Sequence, residues 1–337
     1  MKKIAIVLAY ILTFTACNSS SKSSRKADLK GIDLEVKIER FDLDLLKLRE
    51  SKNLSQSLDK FMDKYKGFAG IYFSGVVHFG NQRDLIAETL PKFFADSTAQ
   101  TLYADAMKQF PNFRKEEKLL TEAFRRGKFF FPTLPTPRII SCVSLLNQNL
   151  MITEEAIAIG IDKYLGADYP LYAKDPNNYD YVIQNWRPEK ISPDIIYAWL
   201  FTEFPYERTN DRLIDELIYH GKILYMQKLL LPDVSAETIM GYTQEQWQWC
   251  IDQEQAMWKT LISEQHLFST DHSLRLKYIK EAPFTLPFTQ ESPGRAGQFI
   301  GLRIVEAYMA KNQDITPQQL MKIADGQQIL EQSGYNP

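Results

Sequence analysis

Residues 290–309 read QESPGRAGQFIGLRIVEAYM, and this stretch does most to decide the fold of the chain. Ser292 followed by Pro293 is typical of a helix start, because serine caps free amide groups and proline is preset for the first turn. Gly297 and Gly301 then lie four residues apart, on one face of the helix. Glycine costs about 1 kcal/mol relative to alanine inside a helix, so two on one face indicate that another backbone packs very close to them.

A second predicted helix, over residues 211–230, is the partner that we expect to pack against these glycines. Glu291 and Arg295 add two charges to the glycine-containing segment. These two side chains can line a cleft, or they can form an exposed ion pair that contributes little to stability. The sequence leaves both interpretations open, but it predicts that the segment is a packing motif first.

The helix over residues 211–230 also contains the run DELIYHGK, which has the spacing of a zinc-peptidase helix but not its ligands. Such a helix needs two histidines four residues apart, with a glutamate directly after the first. Asp215 and Glu216 stand where His-Glu would stand, and Tyr219 occupies the second ligand position. If His220 is taken as the second ligand, Glu216 becomes the first ligand and no general base follows it. Either alignment breaks the mechanism, which needs a metal-bound water and a base.

A weaker metal site remains open, because Glu216 and His220 lie on one helical face. A third ligand such as Glu291 or Glu306 would then be needed. Only one imidazole is present, so the sequence favours an ordinary acid and an ordinary histidine on a structural helix. We therefore predict no catalytic residue, no metal and no cofactor, and we regard Asp215, Glu216, Tyr219 and His220 as a degenerate site.

The first residues predict a lipoprotein signal peptide. Two lysines precede a short apolar run that ends at residue 16, directly before Cys17. This run is shorter than the roughly 20 residues of a membrane-spanning helix. Residues 1–16 are thus expected to be removed and Cys17 to carry the lipid. Residues 17–31, rich in serine and charge, would form a flexible tether, and 32–337 a globular domain. The protein is then a membrane-anchored envelope lipoprotein that faces the periplasm or the cell surface, and the sequence does not say which membrane holds it.

Composition limits the other classes of function. Of 337 residues, 45% are hydrophobic and 12% aromatic, which is enough for a sizeable core. The formal net charge of −2 gives no electrostatic basis for binding nucleic acid. Cys142 and Cys250 each lie in an apolar pattern, so two separate buried thiols are expected rather than a disulfide framework.

The pattern of apolar residues predicts a helix-dominated α+β domain with a small sheet and one continuous core. The expected strands are 34–38, 138–144 and 150–152, with Asn147–Asn149 as a hairpin turn between the last two. Thr153 is expected to cap a helix over residues 154–165. The other helices are predicted at 43–65, 83–90 (ended by Pro91), 97–110, 114–128, 193–201, 211–230, 243–264, 293–311 and 316–330. In the helix from 243, a Thr243–Gln246 capping box precedes tryptophans whose spacing is typical of core.

Four segments, in order along the chain, resemble one known family. They are VKIERFD at 36–42, GIDKYLG with YP at 160–170, YHGKILY with LP at 219–232, and ESPGR, GQFIG, IV and YM within 291–309. Together they resemble the gliding-motility lipoprotein GldB family of Bacteroidetes. The resemblance extends over nearly the whole mature chain, which makes it more specific than any single motif.

The resemblance implies a cell-envelope lipoprotein linked to gliding motility, in bacteria whose motility machinery is tied to type IX secretion. The family is itself similar to predicted zincin-like zinc-dependent proteases, so a zincin-like scaffold is implied as well. Our hypothesis is a non-catalytic lipoprotein, held on the membrane through Cys17, that contacts other envelope, gliding or secretion proteins. A role in envelope maintenance, a metallopeptidase with an atypical Glu/His site, and a surface glycan binder that uses aromatics of the 169–186 loop are the alternatives.

Overall fold

The structure, a computed structural model, describes residues 27–207 and 210–337. The predicted signal peptide, Cys17 and most of the tether lie outside these residues. The last tether residues already touch the body. Ala27 packs on the core, and the Leu29 carbonyl accepts a hydrogen bond from Arg125 Nη2 at 2.9 Å. Contact with the folded part therefore begins before the predicted domain start at residue 32.

Helices dominate the described part of the chain, around one small sheet, as the sequence predicts for an α+β fold. The helices are α1 (Phe41–Leu48), α2 (Leu54–Lys64), α3 (Ala69–Ile71), α4 (Arg83–Ala95), α5 (Ser97–Gln109), α6 (Arg114–Phe130), α7 (Asp180–Ile183), α8 (Ile191–Glu203), α9 (Leu213–Leu230), α10 (Ala236–Met240), α11 (Gln244–Asp252), α12 (Glu254–Ser263), α13 (His272–Ile279), α14 (Ala296–Lys311), α15 (Pro317–Lys322) and α16 (Gly326–Ser333). The strands are β1 (Ile38–Arg40), β2 (Arg138–Cys142), β3 (Leu150–Ile152) and β4 (Ala156–Gly160).

The pair α9 and α14 forms the most extensive contact between helices in the described structure. A methyl group built on Gly301 would overlap the carbonyl oxygen of Leu217, and one built on Gly221 would overlap the backbone of Gly301. The backbones thus touch where the sequence predicts a close approach, and Gly221 of α9 is the matching glycine. Gly297 serves a different neighbour as well, since an added Cβ would lie 2.7 Å from the carbonyl oxygen of Tyr278 in α13.

Helix α14 begins later than predicted, and Ser292 does not cap it. The residue before the helix is Arg295, whose backbone is left-handed with φ of 62°. Ser292 Oγ instead accepts a hydrogen bond from the Thr285 amide at 3.0 Å. The Thr285 hydroxyl accepts from the amide of Ala296 at 2.8 Å, so a residue distant in sequence satisfies the first turn.

The sheet has the strand order β1-β2-β4-β3, with β1–β2 and β2–β4 parallel and β3–β4 antiparallel. The predicted hairpin between residues 138–144 and 150–152 is therefore wrong, because β2 pairs with β1 and β4. The predicted helix over 154–165 is also wrong, since every residue of β4 is buried in the middle of the sheet. A short, wholly apolar strand has no period of two, and its sequence is easily taken for part of a buried helix.

The predicted strand over residues 34–38 joins the sheet only at its last residue. Two of its amide groups, including that of Ile38, bond to side chains of α6. Thr121 Oγ1 accepts from the Val36 amide at 2.9 Å, and Glu117 Oε1 accepts from the Ile38 amide at 3.0 Å. This edge of the fold is thus covered by a helix, which satisfies backbone groups that a sheet edge would leave open.

Several predicted helices are divided in the structure. The expected helix over 243–264 breaks at Gln253, 43–65 divides into α1 and α2, and 316–330 divides into α15 and α16. Conversely, Pro91 lies inside α4 rather than ending it, because Phe93 and Phe94 beyond it are buried. Packing thus decides these boundaries more than local propensity does.

Other predictions hold in the described residues. The Thr243–Gln246 capping box is present at the start of α11. Cys142 and Cys250 are free and buried. Trp258 of α12 is buried in the core as its spacing predicts. No described helix combines the length and the apolar character that crossing a membrane requires.

Candidate functional site

Asp215, at the first degenerate ligand position, links the first turn of α9 to the C-terminal helix α16. Its carboxylate accepts from Arg212 Nε at 2.9 Å and Nη2 at 3.0 Å, and from the amide of Gly326 at 2.9 Å. Arg212 in turn binds Asp325 at 2.7 Å. Both oxygens of Asp215 are occupied by these contacts, so this carboxylate acts as a structural link between two helices.

Glu216, the residue that would be a first metal ligand or a general base, lies beside a fixed cation. Its Oε1 is 3.7 Å from Nε of Arg275 in α13, and the Arg275 side chain is only 1% exposed. Arg275 also pairs with Asp211 at 2.6 Å. The positive charge next to Glu216 is thus a buried guanidinium.

Tyr219 and the candidate third ligands serve other contacts. The Tyr219 hydroxyl donates to the Phe204 carbonyl at 3.0 Å, and its ring packs on Tyr206. Glu306 binds Arg303 at 2.8 Å and also pairs with Lys228, and Glu291 is exposed. Within residues 27–207 and 210–337, no three His, Cys, Asp or Glu side chains are grouped to hold a metal.

His220 faces a large cleft. Its Nδ1 atom is buried and has no hydrogen-bond partner in the described part of the chain, although the ring as a whole is partly exposed. Burial, and then the charge of Arg295, lower the pKa of the imidazole to about 4. His220 is therefore neutral at physiological pH and keeps one ring nitrogen for a further hydrogen bond.

The cleft has a volume of about 700 Å³ and lies between α8, α9, α13 and the start of α14. We call it the His220 cleft. Its lining includes Arg295 and Gln298, Lys163 and Trp186, and His220 and Gln227 of α9. The structure thus brings together two residues that the sequence singled out separately, His220 and Arg295. Glu291 does not take part, and Gly297 and Gly301 serve packing.

Lys163 is held in the cleft wall by an aromatic face. Its Nζ lies 3.5 Å from the centroid of the Trp186 ring and donates to the Leu146 carbonyl at 3.1 Å. Burial lowers the pKa of this ammonium to about 8. The contact covers a face of Trp186, and the ring of Tyr172 packs edge-on at 4.7 Å. Lys163 is therefore a partly desolvated cation on a rigid support.

Two other cations of the cleft are paired within the protein. Lys190 Nζ binds Asp194 at 3.0 Å and also donates to the carbonyls of Thr238 and Ile239. Arg295 Nη2 donates to the Met240 carbonyl at 2.9 Å and lies 3.5 Å from Glu281.

Sequence reasoning missed Lys163, Lys190, Asn185 and Gln227. The only local sign was a lysine two residues after a short apolar run, at GIDK, where burial would force it to find special partners. The Trp186 and Leu146 contacts that make Lys163 notable come from distant parts of the sequence and exist only in the folded chain.

Comparison with known proteins places the chain in one family. A family model described as gliding motility protein GldB matches residues 22–337, which include every element of the fold and the whole His220 cleft. No curated protein and no solved structure gave a significant match. Since the family model covers far more than half of the chain, the protein belongs to the gliding motility protein GldB family.

Proposed function

We propose that this protein is a non-catalytic lipoprotein of the cell envelope that supports gliding motility, or the linked type IX secretion machinery, by binding partner proteins. Membership of the family implies a gliding-motility-related lipoprotein. That the lipoprotein is non-catalytic, and that it acts by contacting other proteins, are our own proposals. In this proposal, α9 corresponds to the metal-binding helix of a zincin-like protein, but its side chains serve packing and not metal binding.

The observation that carries the proposal is the Arg275–Glu216 pair. A metal ion at Glu216 would have to approach a guanidinium that is buried and held by Asp211. A metal ion bound to Glu216 would lie within a few ångströms of this guanidinium, and two positive charges so close repel strongly in a site removed from water. Arg275 is always protonated, so the repulsion does not disappear at any physiological pH.

The rest of the degenerate site supports the same conclusion. Asp215 is engaged by Arg212 and Gly326, and the Tyr219 hydroxyl donates to a carbonyl. The side chains at the positions of a peptidase motif therefore stabilise the joint between α9, α13 and α16. A lipid-anchored body whose candidate ligand positions are used for packing would suit a role in assembly.

A genetic experiment tests the proposal. Three strains in the native host carry the deletion, Cys17→Ala, or Glu216→Gln, and each is scored for colony spreading and for secretion. We expect the deletion and Cys17→Ala to lose function, the latter because the body leaves the membrane, and Glu216→Gln to behave as the parent. Loss of function in Glu216→Gln, with normal protein level and thermal stability, would favour an enzyme. A deletion strain with normal motility, secretion and envelope integrity would overturn the proposed role.

A further inference from the structure

Three buried polar atoms in the His220 cleft have no hydrogen-bond partner in the described structure. They are His220 Nδ1, Asn185 Oδ1 and Gln227 Oε1. Gln227 is only 1% exposed, and its Nε2 donates to the Pro193 carbonyl at 2.9 Å. Buried polar atoms are nearly always satisfied in native proteins, by protein groups, ordered water or a ligand, so these three atoms are free to form hydrogen bonds with a ligand in the cleft.

The two amide oxygens are acceptors, so they call for donors on the ligand. At neutral pH the imidazole of His220 can either donate or accept at Nδ1. Backbone amides of an extended peptide present N–H and C=O groups in alternation, and they fit a wall of this kind. A volume of about 700 Å³ is within the usual range of ligand pockets and accommodates a short segment of chain.

The charge of the cleft adds a second requirement. Its described lining has four cations, Lys163, Lys190, Lys280 and Arg295, against two carboxylates, Asp194 and Glu281. Lys190 and Arg295 are paired with those carboxylates, which leaves Lys163 and the exposed Lys280 as the excess. The excess favours a ligand with negative charge.

The aromatic residues of the cleft argue against a sugar. Glycan sites use an open aromatic face, but the Lys163 ammonium lies over the Trp186 ring at 3.5 Å and the ring is 6% exposed. Tyr197 and Phe201 stack on each other with centroids 5.7 Å apart, so each covers part of the other. The cleft therefore offers cations and hydrogen-bonding groups more readily than a flat stacking platform.

We propose that the His220 cleft binds an extended acidic peptide segment of a partner protein. The segment's carboxylates would face Lys163 and Lys280, and its backbone amides would donate to Asn185 and Gln227. This inference rests on the proposed protein-binding function and names the surface and the chemistry of the partner.

The test is a selection from a phage-displayed library of random dodecapeptides on the full chain in detergent. Selected peptides are then synthesised, and their affinity is measured by fluorescence anisotropy. We expect enrichment of Asp- and Glu-containing peptides and about tenfold weaker binding to Lys280→Glu, since this exposed lysine can be reversed without disturbing the fold. Lys163→Met, with thermal stability checked, should weaken binding similarly. Lys60→Glu on α2, an exposed lysine away from the cleft, is the matched control and should bind as the parent does.

Several results would overturn the inference. The selection could enrich no peptides, or it could enrich peptides that lack acidic residues. The affinity of the selected peptides could also be the same for both cleft variants as for the parent. Binding to an array of envelope polysaccharides that is lost in Lys163→Met, with no peptide selected, would assign the cleft to a glycan. If native partners are still captured from solubilised envelope, equally by the parent and by Lys280→Glu, the cleft inference fails while the protein-binding function stands.

Discussion

Arg275 Nε lies 3.7 Å from Glu216 Oε1, in a contact where the arginine side chain is almost wholly removed from solvent. This pair joins α13 to α9 at one of the residues that the sequence singled out as a degenerate ligand position. The same residue that would be a ligand or a base thus takes part in the packing of the protein.

Removing the cation should destabilise the fold. In Arg275→Met, Glu216 and Asp211 lose a buried positive neighbour, and we expect a loss of about 3–5 kcal/mol in the free energy of unfolding. The double variant Arg275→Met/Glu216→Gln should recover part of that loss, because it no longer buries an excess of negative charge. Urea denaturation followed by circular dichroism measures both values. Additive losses in the double variant would show that the two side chains do not interact.

The glycines between α9 and α14 should not tolerate a methyl group. Gly301→Ala places a carbon on the Leu217 carbonyl oxygen, so we expect a loss of about 3 kcal/mol or a chain that fails to fold. Gly70→Ala in α3 is the matched control, since a Cβ there meets nothing within 4 Å. The control should be neutral or gain up to about 1 kcal/mol. Thermal unfolding compares the two, and equal melting temperatures would contradict the contact.

The link between α9 and α16 should depend on Asp215. Asp215→Ala leaves the Gly326 amide without its acceptor and removes one of the two carboxylates that bind Arg212, and we expect a cost of about 2–4 kcal/mol. Asp314→Ala, at an exposed position, serves as the control. Hydrogen exchange should also show faster opening of α16 in the Asp215 variant. If α16 remains as protected as in the parent, the carboxylate does not hold the two helices together.

His220 should make the protein less stable in mild acid. Its folded pKa of about 4 lies below the unfolded value of about 6.5, so the unfolded chain takes up the proton first. Stability from this residue is therefore constant above pH 6.5 and falls as the pH drops toward 4, by about 1–3 kcal/mol in total. His220→Gln removes the titration and should flatten this part of the profile. Parallel stability profiles for the two proteins between pH 7 and 4.5 would show that His220 is not shifted.

The helix contact and the helix cap that the sequence predicted correctly each have a cause within a few residues of the chain. Gly297 and Gly301 have no local reason to stand in a helix, so their presence indicates a close neighbour. The Thr243–Gln246 box similarly satisfies its own backbone within four residues. A residue that is unfavourable in its own helix, or that satisfies its own backbone locally, can therefore be interpreted before the fold is known.

The features that the sequence did not predict depend on partners far along the chain. The strand Ala156–Gly160 has the same apolar residues as a buried helix, and only its pairing with β2 and β3 identifies it. Lys163 becomes a notable cation only when Trp186 and Leu146 surround it. The start of α14 depends on Thr285, which lies outside the helix and its flanking residues. These contacts are tertiary, and no pattern of neighbouring residues encodes them.

The central claim, that Arg275 replaces a metal ion beside Glu216, is tested most directly by the metal content of the full chain. The protein is purified from envelope without chelators, and zinc is measured by elemental mass spectrometry in the parent and in His220→Ala. Our account predicts only traces of zinc, far below the protein concentration and equal in both proteins. Zinc at the concentration of the parent protein, and lost in His220→Ala, would contradict it.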